Sequence, residues 1–378
     1  MKSVSLIGNN IDGPSSIKFS GNFKLESENI NVGLVEEEDL SLAESSDPDN
    51  RVLIKKRGIS CNYRDKSLIL KYNEQINTLR EKGETAFSYI GSEFVGEVIA
   101  VGKNVKTLKI GDRVVANAAY PSYTKGYIGG LPTNHASRKI DDFSENKLIK
   151  IPDALTDDIA SAFVIAAFTT YSMIRKVVIP NIKVLVTAAK SNTSLAIINA
   201  LRNFPVEVYA MTSNFRNNEI LYDYGVKRVF VVDHDADSYL EGDEISDFVS
   251  KNGLFDAVID PLFDIHLGRV MKLINYDGKY VTCGFYNQFP EFLDSNFFTR
   301  DSLEDIMKLA MVRNISIIGN CLGIKEDFDL ALEHFLAGKF SILIDKVFFE
   351  GEEKEFFDLS YNFNDRLGKV VYLYDKRP

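Results

Sequence analysis

Apolar and polar positions are arranged differently in the two parts of this chain. Over residues 88–115 (SYIGSEFVGEVIAVGKNVKTLKIGDRVV), short β-branched runs are cut by Gly91, Gly96, Gly102 and Gly111, the pattern of strands joined by tight turns and bulges in a small β-barrel. Alternation from Arg51 to Arg57 begins another strand, and the first 150 residues read as mostly β. The acidic stretch 31–50 (NVGLVEEEDLSLAESSDPDN) ends in turn formers and reads as a solvated loop. After Pro152 the apolar residues from Ile159 to Val177 recur at helical spacing. Short apolar runs then predict six strands: Val184–Thr187, Val206–Met211, Arg228–Val232, Ala257–Asp260, Lys279–Cys283 and Ser316–Gly319. Helix-length segments separate most of them, the alternation of a doubly wound parallel sheet. Beyond Leu322, a helix closed by Gly338 and the strands ILIDKVFF and GKVVYLY are expected to rejoin the first domain. The expected organisation is therefore α/β, with one domain from 1–154 and 322–378 and a second from 155–321.

The length of 378 residues is more than one hydrophobic core usually holds, which agrees with two domains. Lys plus Arg total 44 against 54 for Asp plus Glu, a net charge of -10, so no global basic field favours nucleic acid. The three cysteines, Cys61, Cys283 and Cys321, are too scattered for a disulfide framework or a zinc knuckle, which fits a reducing cytoplasm. The N-terminal segment lacks a charged start followed by a long apolar run, and no run of about 18 apolar residues occurs, so neither a signal peptide nor a membrane span is expected.

The most specific motif is Gly91-Ser92-Glu93, with Gly96, Gly102 and Val105 following, then Gly111-Asp112-Arg113-Val114. Leu148–Pro152, Phe168-Thr169-Thr170-Tyr171, Phe255–Asp260, Asp277–Gly284 and Gly368–Val371 follow in order. This set resembles the medium-chain dehydrogenase/reductase superfamily, over roughly residues 50 to 375. The resemblance implies a GroES-like β-barrel catalytic domain plus a Rossmann doubly wound parallel sheet. The family signature normally opens Gly-His-Glu, and its zinc alcohol dehydrogenases use a Cys, that His and a further Cys or Asp as ligands. Here those places fall on Asn62 and Ser92, and the run around Ile165 offers no third ligand. Amide and hydroxyl oxygens are poor zinc ligands beside thiolate or imidazole, and His135, His234, His266 and His334 are scattered. No metal is therefore expected. The Asn62-Tyr63-Arg64-Asp65 string is similar to the zinc-less branch of quinone oxidoreductases and enoyl reductases.

Without a Lewis acid, a simple alkoxide is poorly stabilised, whereas reduction of a C=C bond conjugated to a carbonyl spreads charge over an enolate that a few donors can hold. The expected activity is thus NADPH-dependent reduction of an activated alkene in a small molecule or peptide. By the resemblance, Asn62 donates its amide near the substrate carbonyl, and Tyr63 or Tyr72 supplies a proton or hydrogen bond. The catalytic Tyr of enoyl reductases falls here on Asn73, so Tyr72 is off register.

The glycine fingerprint of the cofactor loop becomes Ala188-Ala189-Lys190-Ser191-Asn192-Thr193-Ser194. A Cβ stands at all three glycine places, Ala188, Ser191 and Ser194, which keeps close helix packing but strains the tight turn and the approach to pyrophosphate. Two readings stay open: serine hydroxyls and helix-start amides bind the pyrophosphate, or cofactor binding has been lost. After the second Rossmann strand, Ser213, Asn214 and Arg216 favour the 2′-phosphate of NADPH, with no carboxylate for a free ribose hydroxyl. Thr169 matches the family threonine near the nicotinamide, and Asn192, Thr193 and Phe285 complete the cofactor positions. A likeness of Gly130–Ser137 and of the insertion Ile69–Phe87 to lanthipeptide-modifying dehydrogenases makes a dehydroalanine-containing peptide one possible substrate. A cofactor-deficient binding protein of the same fold is the alternative from another class. The strand Ile315–Gly319 at the sheet edge is expected to pair across a two-fold axis in a homodimer.

Overall fold

The structure is a computed structural model that describes residues 1–8, 16–38, 40–84, 86–121, 129–233, 236, 238–286, 303–362 and 366–375; His234 lies outside the described residues. The chain divides into two units, Met1–Ile165 with Ile344–Pro378, and Ala166–Asn287 with Glu291–Leu343.

The first unit contains a seven-stranded sheet in the order Ile344–Phe348, Lys369–Leu373, Arg51–Ser60, Glu93–Val101, Arg113–Ala116 and Leu148–Lys150, with Ile140–Ser144 also paired to Arg51–Ser60. Of the expected glycines, Gly91, Gly102 and Gly111 sit at its turns, while Gly96 lies inside strand Glu93–Val101 beside a register shift. Gly91 has φ +90, and a Cβ on Gly102 would run into the carbonyl oxygens of Pro48 and Asp49. The register matters for the site. Ser60 faces Glu93 on one side and Val371 on the other, and continuing the second antiparallel pairing sets Lys369 opposite Asn62.

A separate antiparallel sheet, ordered Ile17–Leu25, Glu28–Glu36, Lys2–Ile7 and Phe87–Ser88, takes three strands from ahead of it in sequence and one from between Arg51–Ser60 and Glu93–Val101. Its strand Glu28–Glu36 buries Ile30 through Val35. The solvated loop expected from residue 31 therefore begins only after Glu36, because the apolar positions ahead of the acidic run pair with Lys2–Ile7. Helix Asp65–Glu81 was not legible as a helix, although Ile69, Leu70, Asn73 and Ile76 make a buried stripe at helical spacing.

The second unit holds six parallel strands in the order Arg228–Val231, Glu207–Thr212, Lys183–Val186, Phe255–Asp260, Ile274–Thr282 and Ser316–Gly319. Numbered along the chain this is 3-2-1-4-5-6, the Rossmann arrangement. All six expected strands are present. Leu185, Tyr209, Phe230, Phe248, Phe255, Val258 and Tyr280 belong to one core, with Phe248 stacked on Phe255 at 5.7 Å. Parallel strands buried on both faces read as continuous apolar runs, which is why the inner ones are visible in sequence.

The expected helices appear as Asp157–Val177 and Lys325–Leu336, the latter followed by Gly338 at φ +68. The segment 322–343 lies with the second unit rather than the first, so the chain returns at Ile344. Helix Lys325–Leu336 is held there by Phe328 against Phe168 and by an Arg175–Asp327 ion pair of 2.8 Å. Among the described residues, no helix is long and apolar enough to cross a membrane.

Candidate functional site

Strand Arg51–Ser60 runs into Cys61 and Asn62, and the chain then turns into helix Asp65–Glu81. The turn closes on itself. Asp65 N donates to the Asn62 carbonyl at 2.9 Å, while Asn62 N donates back to Asp65 Oδ2 at 3.0 Å. The Asp65 carboxylate is fully buried and also takes Ser92 Oγ at 2.9 Å and Arg64 Nη1 at 3.1 Å. Burial pushes its carboxyl above the usual carboxylate range, and Arg64 opposes that rise. Ser92, in the place of the signature histidine, thus spends its hydroxyl on a structural carboxylate.

Glu93 is the hub of the cluster. Its Oε1 accepts from Ile165 N at 2.8 Å, and its Oε2 accepts from Ser60 Oγ at 2.9 Å, Asn62 Nδ2 at 3.0 Å and Lys369 Nζ at 3.2 Å. The Lys369 ammonium also donates to Asn62 Oδ1 at 2.8 Å and to the Cys61 carbonyl at 3.1 Å. The Asn62 amide is therefore clamped between a carboxylate on its NH2 side and an ammonium on its oxygen side, which fixes its orientation. Burial, followed by the charge of Asp65, pushes the Cys61 thiol up to about 12, so Cys61 is a packing residue and not a thiolate.

Tyr63 is 41% exposed, with the Lys66 ammonium 5.4 Å from its ring. Tyr72 lies on helix Asp65–Glu81 with its ring 5.9 Å from that of His135, and Asn73 beside it is buried. The structure thus brings Asn62 together with Glu93 and Lys369, which sequence reasoning did not assign to the site. Lys369 stood in a quoted motif, but its partner lies 276 residues away in the chain. The donors around the zinc places do not suit that metal: Ser92 and Asn62 are neutral and already bonded. Among the described residues no three His, Cys, Asp or Glu side chains form a metal-holding group.

In the second unit, strand Lys183–Val186 leads through Thr187–Ser191 into helix Asn192–Leu201. Ser191 caps the helix: it has extended backbone, and its Oγ accepts from Ser194 N at 3.2 Å. Ser194 is buried and its Oγ donates to the Thr187 carbonyl at 2.7 Å, so the third glycine place is filled without loss of packing. Only Ala188 carries the expected strain, at φ +43, a conformation glycine adopts freely. Ala189 N ties the loop to the neighbouring strand through the Met211 carbonyl at 2.8 Å. Asn192 and Thr193 occupy the first helical turn, where backbone N–H groups and the helix dipole favour an anion.

Ser213, Asn214 and Arg216 are exposed just past strand Glu207–Thr212. Lys190 Nζ reaches this loop and donates to Asn214 O at 2.8 Å, Asn214 Oδ1 at 2.6 Å and Arg216 O at 2.6 Å. Glu207 takes the Tyr209 hydroxyl at 3.0 Å and is not placed to read a ribose. Thr169 is buried on helix Asp157–Val177, and the half-buried Phe285 packs edge-on to Phe263 at 6.1 Å. Buried Asp260, at the end of its strand, accepts from Thr187 Oγ1 at 2.6 Å, Leu262 N at 2.9 Å and the Tyr280 hydroxyl. The helix start and the serine cap suit the pyrophosphate of a dinucleotide, and Arg216 together with Lys190, reaching across from the first loop, sets two cations at the loop after the second strand.

Residues 48–137 match the alcohol dehydrogenase GroES-like domain family. Human quinone oxidoreductase is 25% identical over 242 residues, which cover 63% of this chain and 64% of that protein, so the match spans less than two thirds of the relative. In fold, the chain is similar to an NAD-dependent alcohol dehydrogenase (TM-score 0.71, 19% identity, 99% of this chain and 100% of the other). A crotonyl-CoA carboxylase/reductase variant in complex with NADP is comparable (TM-score 0.71, 17% identity, 99% of this chain and 95% of the other). A GroES-like domain, a 3-2-1-4-5-6 Rossmann sheet and a signature carried through to Lys369 occur here in one chain, a combination that, with the likeness to quinone oxidoreductase, supports the medium-chain dehydrogenase/reductase superfamily and its quinone oxidoreductase-like branch.

Proposed function

We propose that this protein is a zinc-independent, NADPH-dependent reductase of activated C=C bonds. The observation that carries the reading is the Asn62 clamp. One N–H of the amide is spent on Glu93 and the carbonyl on Lys369, so the remaining N–H is a fixed donor in the place where the family's zinc enzymes set a metal ligand. A donor held rigidly by its neighbours stabilises charge that develops during reaction without reorganising first. One hydrogen bond suits an enolate, whose charge is shared between oxygen and carbon, better than an isolated alkoxide. The likeness to quinone oxidoreductase supports an acceptor of this electronic type.

Ser191, the start of helix Asn192–Leu201, Asn214 and Arg216 would hold the phosphates of NADPH, which when bound supplies a hydride. Asn62 would orient the acceptor carbonyl and hold its oxygen as negative charge develops there. A proton then reaches the α-carbon from water or from the exposed Tyr63 hydroxyl, and the balance is one hydride and one proton added across the C=C bond. The test is a panel of quinones, enals, acyl thioesters and a dehydroalanine peptide with NADPH labelled by deuterium at the transferred position. The label should appear at the β-carbon and solvent hydrogen at the α-carbon. A label on the carbonyl carbon would overturn alkene reduction, and absence of both turnover and NADPH binding would favour the cofactor-deficient alternative.

Assembly as a homodimer belongs to the same proposal. Strand Ser316–Gly319 ends the sheet order, and Ile317, Leu303, Met307, Met311 and Val312 on it and the preceding helix are exposed apolar side chains. Light scattering at micromolar concentration should give twice the chain mass. A cytoplasmic location is proposed from the three cysteines, all free.

A further inference from the structure

Lys190 has no counterpart in the glycine fingerprint, where the residue between the first two glycine places has no assigned task. Its position is unusual in one respect. It leaves the loop after the first Rossmann strand and crosses to the loop after the second, the place where an acidic side chain reads a free ribose hydroxyl or a cation meets a 2′-phosphate. Strands Lys183–Val186 and Glu207–Thr212 pair in parallel with Val186 opposite Ala210, so both loops leave the same edge of the sheet. Among the described residues, the partners of the ammonium are three neutral oxygens, two on Asn214 and one on Arg216. Hydrogen bonds to neutral oxygens orient the ammonium without cancelling its charge. Burial lowers the Lys190 pKa, and of the charged groups facing it Glu219 opposes that shift while Arg216 adds to it.

We propose that Lys190 is a specificity-determining residue of the dinucleotide site, its ammonium engaging the 2′-phosphate beside Arg216. The assignment rests on the NADPH reading above. An incoming phosphate trades one lysine–carbonyl bond for a charge-assisted one, and the loop that Lys190 already holds brings Arg216 to the same anion. The same side chain then joins recognition of the pyrophosphate, through the loop it belongs to, to recognition of the 2′-phosphate.

Two nucleotide fragments without nicotinamide test this apart from activity: 2′,5′-ADP and 5′-ADP, titrated calorimetrically into the wild-type protein, Lys190→Ala and Lys190→Arg, each first checked for folding by circular dichroism. The wild type should prefer 2′,5′-ADP. Lys190→Ala should weaken 2′,5′-ADP about tenfold or more and leave 5′-ADP within about twofold, whereas Lys190→Arg should keep most of the preference. Equal weakening of both fragments would reduce Lys190 to a loop anchor and overturn the assignment. An undiminished preference in Lys190→Ala would overturn it while leaving the NADPH reading intact. A wild type that binds neither fragment, or both equally, would remove that reading itself.

Discussion

The barrel and the Rossmann sheet each present a polar turn where a strand passes into a helix, at Asn62 and at Ala188–Ser194, and the two turns are held by different forces. Around Asn62 the partners are charged, with Glu93, Lys369 and Asp65 buried and Arg64 partly exposed. Around Ser191 they are neutral, a serine cap, a hydroxyl on the Thr187 carbonyl and an amide on the Met211 carbonyl. A neutral hydrogen bond contributes about 1 kcal/mol and its loss is mild, whereas a buried charge deprived of its partner is severely penalised. The difference shows why the glycine fingerprint can be rewritten in this chain while the packing of its turn survives: small neutral side chains can be exchanged there one at a time. The barrel turn does not have that freedom.

Removing Lys369 is the sharpest way to break the comparison. Lys369→Ala leaves Glu93 charged and buried and should destabilise the protein by about 3 to 5 kcal/mol in urea titration. Ser191→Ala, the matching loss in the other turn, should cost only about 1 kcal/mol. Similar values for the two would mean that charge is not what distinguishes the turns. Replacing Glu93 and Lys369 together by apolar residues of like size should recover much of the loss.

Cofactor affinity gives the next largest effect. Arg216→Ala should weaken NADPH by about 1.5 to 3 kcal/mol and barely affect NADH, since an exposed arginine on a loop serves the ligand and not the fold. A Tm change of several degrees in the ligand-free variant would show the opposite.

Alkaline pH probes both halves, because Cys61 in the barrel and Cys283 in the Rossmann unit are each pushed up to about 12 by burial. The unfolded chain releases these protons near pH 8.5 to 9 and the folded chain holds them, so stability is full below that range and falls as pH rises toward 12. The slope is at most about 1.4 kcal/mol per pH unit for each thiol. Cys61→Ala should make the decline between pH 9 and 10.5 shallower by one proton's share, as read by chemical denaturation at fixed pH. An unchanged slope would mean that the Cys61 thiol is in contact with water.

The smallest expected effect concerns the one strained residue of the cofactor turn. Ala188→Gly should stabilise by about 1 kcal/mol, because φ +43 suits glycine, and should leave NADPH binding equal or tighter. Destabilisation would mean that the turn does not hold that conformation in solution.

What the sequence made legible follows the same division. Five of the parallel strands could be read because their apolar runs are largely buried and glycine or polar segments bound them, whereas the edge strand Ser316–Gly319 is mostly exposed and shows only its Ile317-Ile318 pair. Helix Asp65–Glu81 could not, since its inward stripe includes Asn73 and the neighbouring Lys66 is also buried, polar residues that interrupt the apolar period. Strand Ile17–Leu25 has few buried positions and carries little pattern of its own. In the site, Asn62 was reached through a motif and its zinc-place neighbour Ser92 through an aberrant signature. Lys369 and Lys190 were in view but without partners, because an ammonium's role depends on which oxygens the fold brings to it.

The order of the strands in the barrel sheet also has a consequence for biosynthesis. Strand Lys369–Leu373 is inserted between Ile344–Phe348 and Arg51–Ser60, yet it is made long after Glu93 has left the ribosome. At about 5 to 20 residues per second, the 276 positions from Glu93 to Lys369 take roughly 14 to 55 seconds to synthesise. During that interval the nascent sheet lacks Ile344–Phe348 and Lys369–Leu373, and Glu93 lacks its counter-ion, while the strands of the Rossmann unit are made in turn. The half with local connections can complete its sheet first, and the half that holds Asn62 completes its own only with a strand made after the whole Rossmann unit.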